Sequence, residues 1–314
     1  MRLISAFFRM IRLPNLIFIA LTQVLFYECI IRPVLDPLQL TPEIDRISLV
    51  FLIFASLFIA AAGYIINDYF DINIDQVNKP EKNVVDSVVS RRWAMLWHFV
   101  ISGIGVLLSI YVYIRSSLWY IPLANLGCVF LLFVYSLTLK KKLLIGNIVI
   151  SFLTAWVIVI LFLSEVKVFH AQVSADNLIA SQKIVRLGLL YSSFAFIITL
   201  IREAIKDMED IAGDIKYGCR TMPIVWGINA TKIYVAVWLV VLLATVIIAQ
   251  VYVSQFRWWW PSIYSTLFII LPLGFLLIKL FSASSSKQFH TLSTVTKLVM
   301  LSGILSMLFF RFYL

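Results

Sequence analysis

Two short segments of this chain carry the residues best suited to chemistry. One reads Asn67-Asp68-Tyr69-Phe70-Asp71-Ile72-Asn73-Ile74-Asp75, the other Lys206-Asp207-Met208-Glu209-Asp210-Ile211-Ala212-Gly213-Asp214. Both follow D-x2-D-x3-D, and each aspartate of the first has its counterpart 139 residues later. On a helix, positions i, i+3 and i+7 fall on one stripe within about 60°. Three carboxylates on such a stripe repel one another by about 0.2–0.5 kcal/mol per pair. Placed at a helix C-terminus, they also oppose the dipole by about 0.3–1 kcal/mol. A bound cation reverses both penalties. Clustered hard oxygen ligands suit Mg²⁺, which takes one or two carboxylates and completes its shell with water and phosphate oxygens. Two facing clusters therefore suit a diphosphate.

Basic groups surround these acids. Lys140, Lys141 and Lys142 follow closely on Tyr135 and Ser136, while Arg202, Lys206 and Arg220 flank the second motif. Such groups can neutralise a diphosphate leaving group, and next to a membrane they also serve as anchors. Arg12 and Asn15 stand in Arg12-Leu13-Pro14-Asn15, and an asparagine at the start of an apolar run marks a packed or functional position. No Walker A loop, GxGxxG, HExxH or EF-hand pattern is present. Cys29, Cys128 and Cys219 form no CxxC pair, so neither a disulfide framework nor a zinc site is expected.

The elements that position these groups are apolar. Of 314 residues, 62% are hydrophobic and only 13% charged, against roughly 45–50% and about 25% in a soluble domain. That excludes a soluble globular enzyme and a disordered chain. A spanning helix needs about 20 apolar residues. Nine runs qualify, at approximately 13–31, 47–67, 93–114, 118–139, 143–163, 184–201, 231–253, 260–281 and 290–312. They do not alternate as barrel strands do, so the expectation is an all-α polytopic bundle of about nine transmembrane helices. With the N-terminus inside, seventeen Lys and Arg fall in inside segments and eight outside, with Lys297 within the last run. This bias supports N-in. The net charge of +10 then reads as topology, and no nucleic-acid partner is expected. Loops 67–92 and 202–230 share the inner face and hold ten of the sixteen acids. The loop over 165–183 is longer than the other outer ones, and Trp258, Trp259 and Trp260 suggest an interfacial aromatic belt.

These residues resemble the UbiA superfamily of intramembrane prenyltransferases. Asn67, Asp68, Asp71 and Asp75 match its NDxxDxxxD motif, continued by Asn78-Lys79-Pro80-Glu81, and Asp210 and Asp214 match its DxxxD motif. Tyr135-Ser136, the three lysines and Gly146-Asn147 resemble its middle segment. The resemblance covers nearly the whole chain and implies one transmembrane prenyltransferase domain over 1–314. It implies Mg²⁺-dependent transfer of a prenyl group from a polyprenyl diphosphate to a lipophilic acceptor among membrane lipids. By the family pattern Asn67, Asp71, Asp210 and Asp214 would hold Mg²⁺ and diphosphate, supported by Asp68, Asp75 and Asp207. Tyr135 and Lys142 would lie near the diphosphate or the nascent allyl cation. The setting implied is an integral, multi-pass protein of a prokaryotic plasma membrane, with its active site on the cytoplasmic side.

The run from Arg202-Glu203 through Lys206, Asp207, Asp210, Gly213, Asp214, Gly218 and Thr221 to Pro223 looks most like digeranylgeranylglyceryl phosphate synthases. This implies a geranylgeranyl donor and a geranylgeranylglyceryl phosphate acceptor, attacked through a hydroxyl. The chain departs from the family at 82–87, where Lys-Asn-Val-Val-Asp-Ser replaces the usual Arg-Pro and Ser-Gly loop. An aromatic acceptor of quinone, haem or chlorophyll synthesis is the alternative, with Arg12 as partner for a ring carboxylate. A transporter is the alternative from another class, but it should carry ionisable groups near mid-span, whereas these acids cluster at span ends.

Overall fold

A computed structural model of the chain describes residues 7–78, 89–166 and 175–314. Nine helices among them are long and apolar enough to cross a membrane. In chain order these are α1 (Leu13–Leu38), α2 (Arg46–Asn78), α3 (Arg91–Ser116), α4 (Tyr120–Leu137), α5 (Ile145–Ser164), α6 (Ala175–Glu209), α9 (Ile228–Ser254), α10 (Trp259–Ser282) and α11 (Ser286–Tyr313). Two short helices, α7 (Ile211–Lys216) and α8 (Met222–Val225), fill the connection from α6 to α9. Helices satisfy their backbone groups internally, which is what a lipid surround demands. The described residues contain no β-sheet.

Each expected run is found as a helix, and several helices outrun their apolar stretch. α2 continues eleven residues past position 67, to Asn78, and α6 extends the run at 184–201 to Ala175–Glu209. Polar residues end an apolar run without ending a helix, because Asp, Lys and Gln leave the backbone ladder intact. The loop expected over 165–183 is thus helical from Ala175. The departing segment at 82–87 lies outside the described residues.

α6 runs through the centre of the bundle, packed against α5, α9 and α11, while α2 packs against α3 and α4. α1, α2, α5 and α6 bury about half of their most apolar stretch; α3, α4, α9 and α10 bury far less and form the periphery. One apolar cluster around Phe26, Leu52, Ile121, Ile160 and Ile184 fills the bundle at the end away from the acids. A second, around Ile201, Met208, Leu239, Leu276 and Phe289, joins α6 to α9, α10 and α11. A third, around Met10, Leu16, Ala61, Ile65 and Ile72, packs α1 on α2 close to the acidic end.

Two helices carry a single π turn, over Tyr27–Ile31 in α1 and Thr266–Ile270 in α10. Pro33 and Pro272 follow within two residues. A proline ring clashes with the carbonyl four residues back, and the wider turn relieves that clash without breaking the helix.

Candidate functional site

The first motif sits on the last turns of α2. Asn67 donates through Nδ2 to Asp71 Oδ2 at 2.9 Å, one helical turn on. Lys140 Nζ lies 2.6 Å from Asp71 Oδ1 and donates to Asn67 Oδ1 at 3.2 Å. Arg12 Nη2 donates to Asp68 Oδ1 at 2.8 Å, with its guanidinium 5.0 Å from the centre of the Tyr64 ring. Arg12 adopts a left-handed conformation with φ 53°, the turn through which the chain enters α1. The side chain of Asp75 lies outside the described residues.

The second motif is not a continuous stripe. α6 ends at Glu209, and α7 restarts at Ile211 with Asp210 at the break, φ −96° and ψ 8°. Asn78, from the end of α2, spans that break. Its Nδ2 donates to the Asp210 carbonyl at 3.0 Å, and its Oδ1 accepts the Gly213 N–H at 2.8 Å. A methyl group on Gly213 would stand 2.5 Å from the Asn78 amide, so the approach requires glycine. Asp207 Oδ2 accepts from Asn147 Nδ2 at 2.9 Å.

These contacts bring the two motifs face to face. The charged neighbours of Cys219 include Asp214 of one motif and Asp71 of the other, together with Lys140 and Lys141. Burial, then the nearby Asp214 carboxylate, pushes the Cys219 thiol up to about 11, which keeps it a packed neutral group. The charged groups acting on Tyr135 are Glu203, Asp71, Asp207 and Arg12. Carboxylates of both motifs therefore act on one aromatic side chain.

Several expected site residues stand elsewhere. Lys142 is exposed on an extended stretch, and Lys140 is the lysine that reaches the aspartates. The reason is local: a 3-10 turn over Leu139–Lys141 folds the backbone back, and Gly146 lets Lys140 pack so close that a Cβ there would lie 2.8 Å from its Cα. Ser136 spends its hydroxyl on the Leu132 carbonyl of its own helix, at 2.9 Å. Arg220 is exposed, and its backbone N–H donates to the Lys141 carbonyl at 2.8 Å. Arg202 Nη1 pairs with Glu203 at 2.7 Å, and Lys206 Nζ stands 4.0 Å from the same carboxylate. Asn15 accepts from Lys297 Nζ at 2.7 Å. Tyr64, Glu203 and Lys297 had no site role assigned from the sequence. Lys297 left a signal there as a cation inside a span, and Glu203 as part of the run from Arg202 to Pro223; Tyr64 left none.

Above the acids the interior is apolar. A cavity of about 70 Å³ lies between α1, α5, α6 and α11, lined by Phe18, Ile19, Thr22, Val157, Ile198 and Met300 among others. Tyr191, Phe194 and Gly303 separate it from a second cavity of about 130 Å³, toward the opposite end, lined by Val246, Trp258 and Phe309. Trp258 turns into this cavity, while Trp259 and Trp260 are exposed. An elongated hydrocarbon chain fits such a lining.

The donor set suits Mg²⁺. Asp207 has Glu203 and Asp214 among its charged neighbours and Lys206 as the cation facing it, an acidic excess that a cation would offset. Among the described residues no three His, Cys, Asp or Glu side chains group closely enough to hold a metal ion by themselves. Mg²⁺ there would have to complete its shell with water and substrate phosphate.

Three comparisons bear on this site. A sequence model of the UbiA prenyltransferase family matches residues 38–301. The digeranylgeranylglyceryl phosphate synthase of Methanothermobacter thermautotrophicus is 34% identical over 175 residues, 56% of this chain, and the matched stretch spans about half of that relative, 54%. In fold, the chain is similar to a solved digeranylgeranylglyceryl phosphate synthase, with a TM-score of 0.63 at 21% identity over 98% of this chain and 99% of the other. It is also similar to a UbiA homologue from Archaeoglobus fulgidus bound to DMAPP and Mg²⁺, with a TM-score of 0.56 at 15% identity over 96% and 98%.

Proposed function

Because the chain belongs to the UbiA prenyltransferase family, we propose that it transfers a geranylgeranyl group from its diphosphate to the free hydroxyl of geranylgeranylglyceryl phosphate, in a Mg²⁺-dependent reaction. The observation that carries this reading is the pair of aspartate motifs facing each other, joined by Asn78 and set beneath an apolar cavity. Asp71, Asp210 and Asp214, with Asn67, are the groups that would hold the metal and diphosphate; Asp68 and Asp207 support them. When bound, Mg²⁺ would screen the charge on the departing diphosphate.

The chain's own residues supply the rest. Lys140 presents an ammonium to the same cluster and favours charge building on the leaving oxygens. The allylic carbon–oxygen bond breaks, and the diphosphate leaves with the electron pair. The face of Tyr135 stabilises the cationic carbon. The apolar cavity holds the hydrocarbon tail and keeps out water that would quench the cation. The acceptor hydroxyl oxygen forms the new ether bond, and its proton passes to the diphosphate. The matched synthase from Methanothermobacter thermautotrophicus supports this acceptor, and the DMAPP and Mg²⁺ held by the Archaeoglobus fulgidus homologue support the donor chemistry. We place this activity in one domain over 1–314, with the N-terminus and the acidic end on the cytoplasmic side of a prokaryotic plasma membrane.

The test is turnover by purified protein with Mg²⁺, geranylgeranyl diphosphate and either geranylgeranylglyceryl phosphate or an aromatic acid, products identified by mass spectrometry. An ether-linked product is expected. Turnover of the aromatic acid alone overturns the acceptor. Asp71→Ala and Asp210→Ala are each expected to abolish diphosphate release while eluting as folded protein; prenyl transfer retained in both overturns the metal assignment.

A further inference from the structure

Lys297 lies eleven residues inside α11. A charge held within a span is costly enough to signal a function. The Cα–Cβ bond of a helical residue tilts toward the helix N-terminus, and α11 begins at the acidic end, where Ser286 bonds the Glu209 carbonyl. Lys297 reaches that way: its Nζ donates to Asn15 Oδ1 at 2.7 Å and stands 5.2 Å from the centre of the Phe18 ring.

No carboxylate pairs with Lys297 among the described residues, and the charged groups facing it are Arg202, Arg12 and Lys206. Arg12 is held by Asp68 and Arg202 by Glu203. Arg202 keeps its Nε buried without a hydrogen-bond partner. Glu203 and Asp207 face Arg202 and Lys206, and Asp68 faces Arg12, whereas the hydrogen bond of Lys297 goes to a neutral amide. Like charges gathered inside a bundle repel unless an anion joins them. Phe18 also lines the apolar cavity. The Lys297 ammonium therefore sits at the cavity's edge on the α1–α11 side, while Lys140 serves the aspartates on the α2–α7 side.

We infer that Lys297, with Arg202, Lys206 and the Asn15 amide that orients it, forms a second anion subsite, which takes the phosphomonoester of the lipid acceptor. This rests on the acceptor reading above. A phosphomonoester carries about −1.5 to −2 at neutral pH and accepts several hydrogen bonds, matching a cluster of cationic donors. With its phosphate there, the acceptor presents its glycerol hydroxyl between the cluster and the aspartates.

The test measures geranylgeranylglyceryl phosphate binding to the purified protein without donor, beside the steady-state KM of each substrate. Lys297→Met keeps side-chain length and removes charge; it should weaken acceptor binding roughly ten- to hundredfold and leave the donor KM unchanged. Lys297→Gln, a smaller polar change, should give the same loss, and Lys297→Arg should recover most of the binding. Dephosphorylated geranylgeranylglycerol should bind wild type and Lys297→Met alike. Unchanged acceptor binding in both uncharged variants overturns the subsite, as does equal wild-type affinity for the phosphorylated and dephosphorylated lipids. Failure of the acceptor reading is distinct: the phosphorylated lipid then binds through Lys297 but wild type forms no ether product from it.

Discussion

Asp71 is held from two sides, by the Asn67 amide on its own helix and by the Lys140 ammonium from the connection between α4 and α5. Three lysines in a row stand in that connection, and sequence spacing alone cannot say which one faces the aspartates. The answer depends on the direction of the 3-10 turn and on the close pass of Gly146 against Lys140. Lys140→Met should therefore lower kcat/KM for the diphosphate donor by roughly tenfold or more, the usual worth of a charge-assisted hydrogen bond. Lys142→Met should leave it unchanged, because that side chain is exposed. Equal losses in the two variants would contradict the placement of Lys140. The aspartates themselves were legible from residue type and spacing. Tyr64 was not, since a tyrosine near a span end is ordinary until its neighbours are known; Glu203 stood out only as part of the run from Arg202 to Pro223, with no role attached to it.

At the scale of elements, the sequence repeat hides a structural difference. The first D-x2-D-x3-D lies on one unbroken helix, whereas the second is split at Asp210 between α6 and α7. The split frees backbone groups at the break, and the Asn78 side chain takes up two of them. Gly213→Ala places a methyl group against that amide and should expel it. We expect Gly213→Ala and Asn78→Ala each to reduce turnover by roughly tenfold or more, with the double variant no worse than either single one, since residues in one contact do not add. Additive losses measured in that cycle would mean that Gly213 acts apart from Asn78. The apolar runs were legible because lipid leaves the backbone few options. The π turns before Pro33 and Pro272 and the helix break at Asp210 were not, because they are set by carbonyl clashes and tertiary partners rather than by hydropathy.

For the whole molecule, the acidic end is the place where both halves of the bundle meet. Arg12 ties the entry to α1 to α2, Lys140 ties the α4–α5 connection to α2, Asn147 ties α5 to α6, and Lys297 ties α11 to α1. The carboxylates drawn together there repel one another, and the protein's own cations offset this only in part. A ligand that neutralises them binds the assembled bundle and not its separated helices. It therefore stabilises the fold by an amount set by its concentration over its Kd, about 2.7 kcal/mol at a hundredfold excess. Mg²⁺ together with inorganic diphosphate should accordingly raise the thermal unfolding midpoint of the detergent-solubilised protein, and EDTA should return it to the ligand-free value. Each component alone should raise it less, because the metal shell is completed by phosphate oxygens. The shift should vanish in Asp71→Asn and Asp210→Asn, one from each motif, and persist in Lys297→Met, whose charge serves the acceptor. A shift that survives in both aspartate variants would place the metal and diphosphate away from the facing motifs.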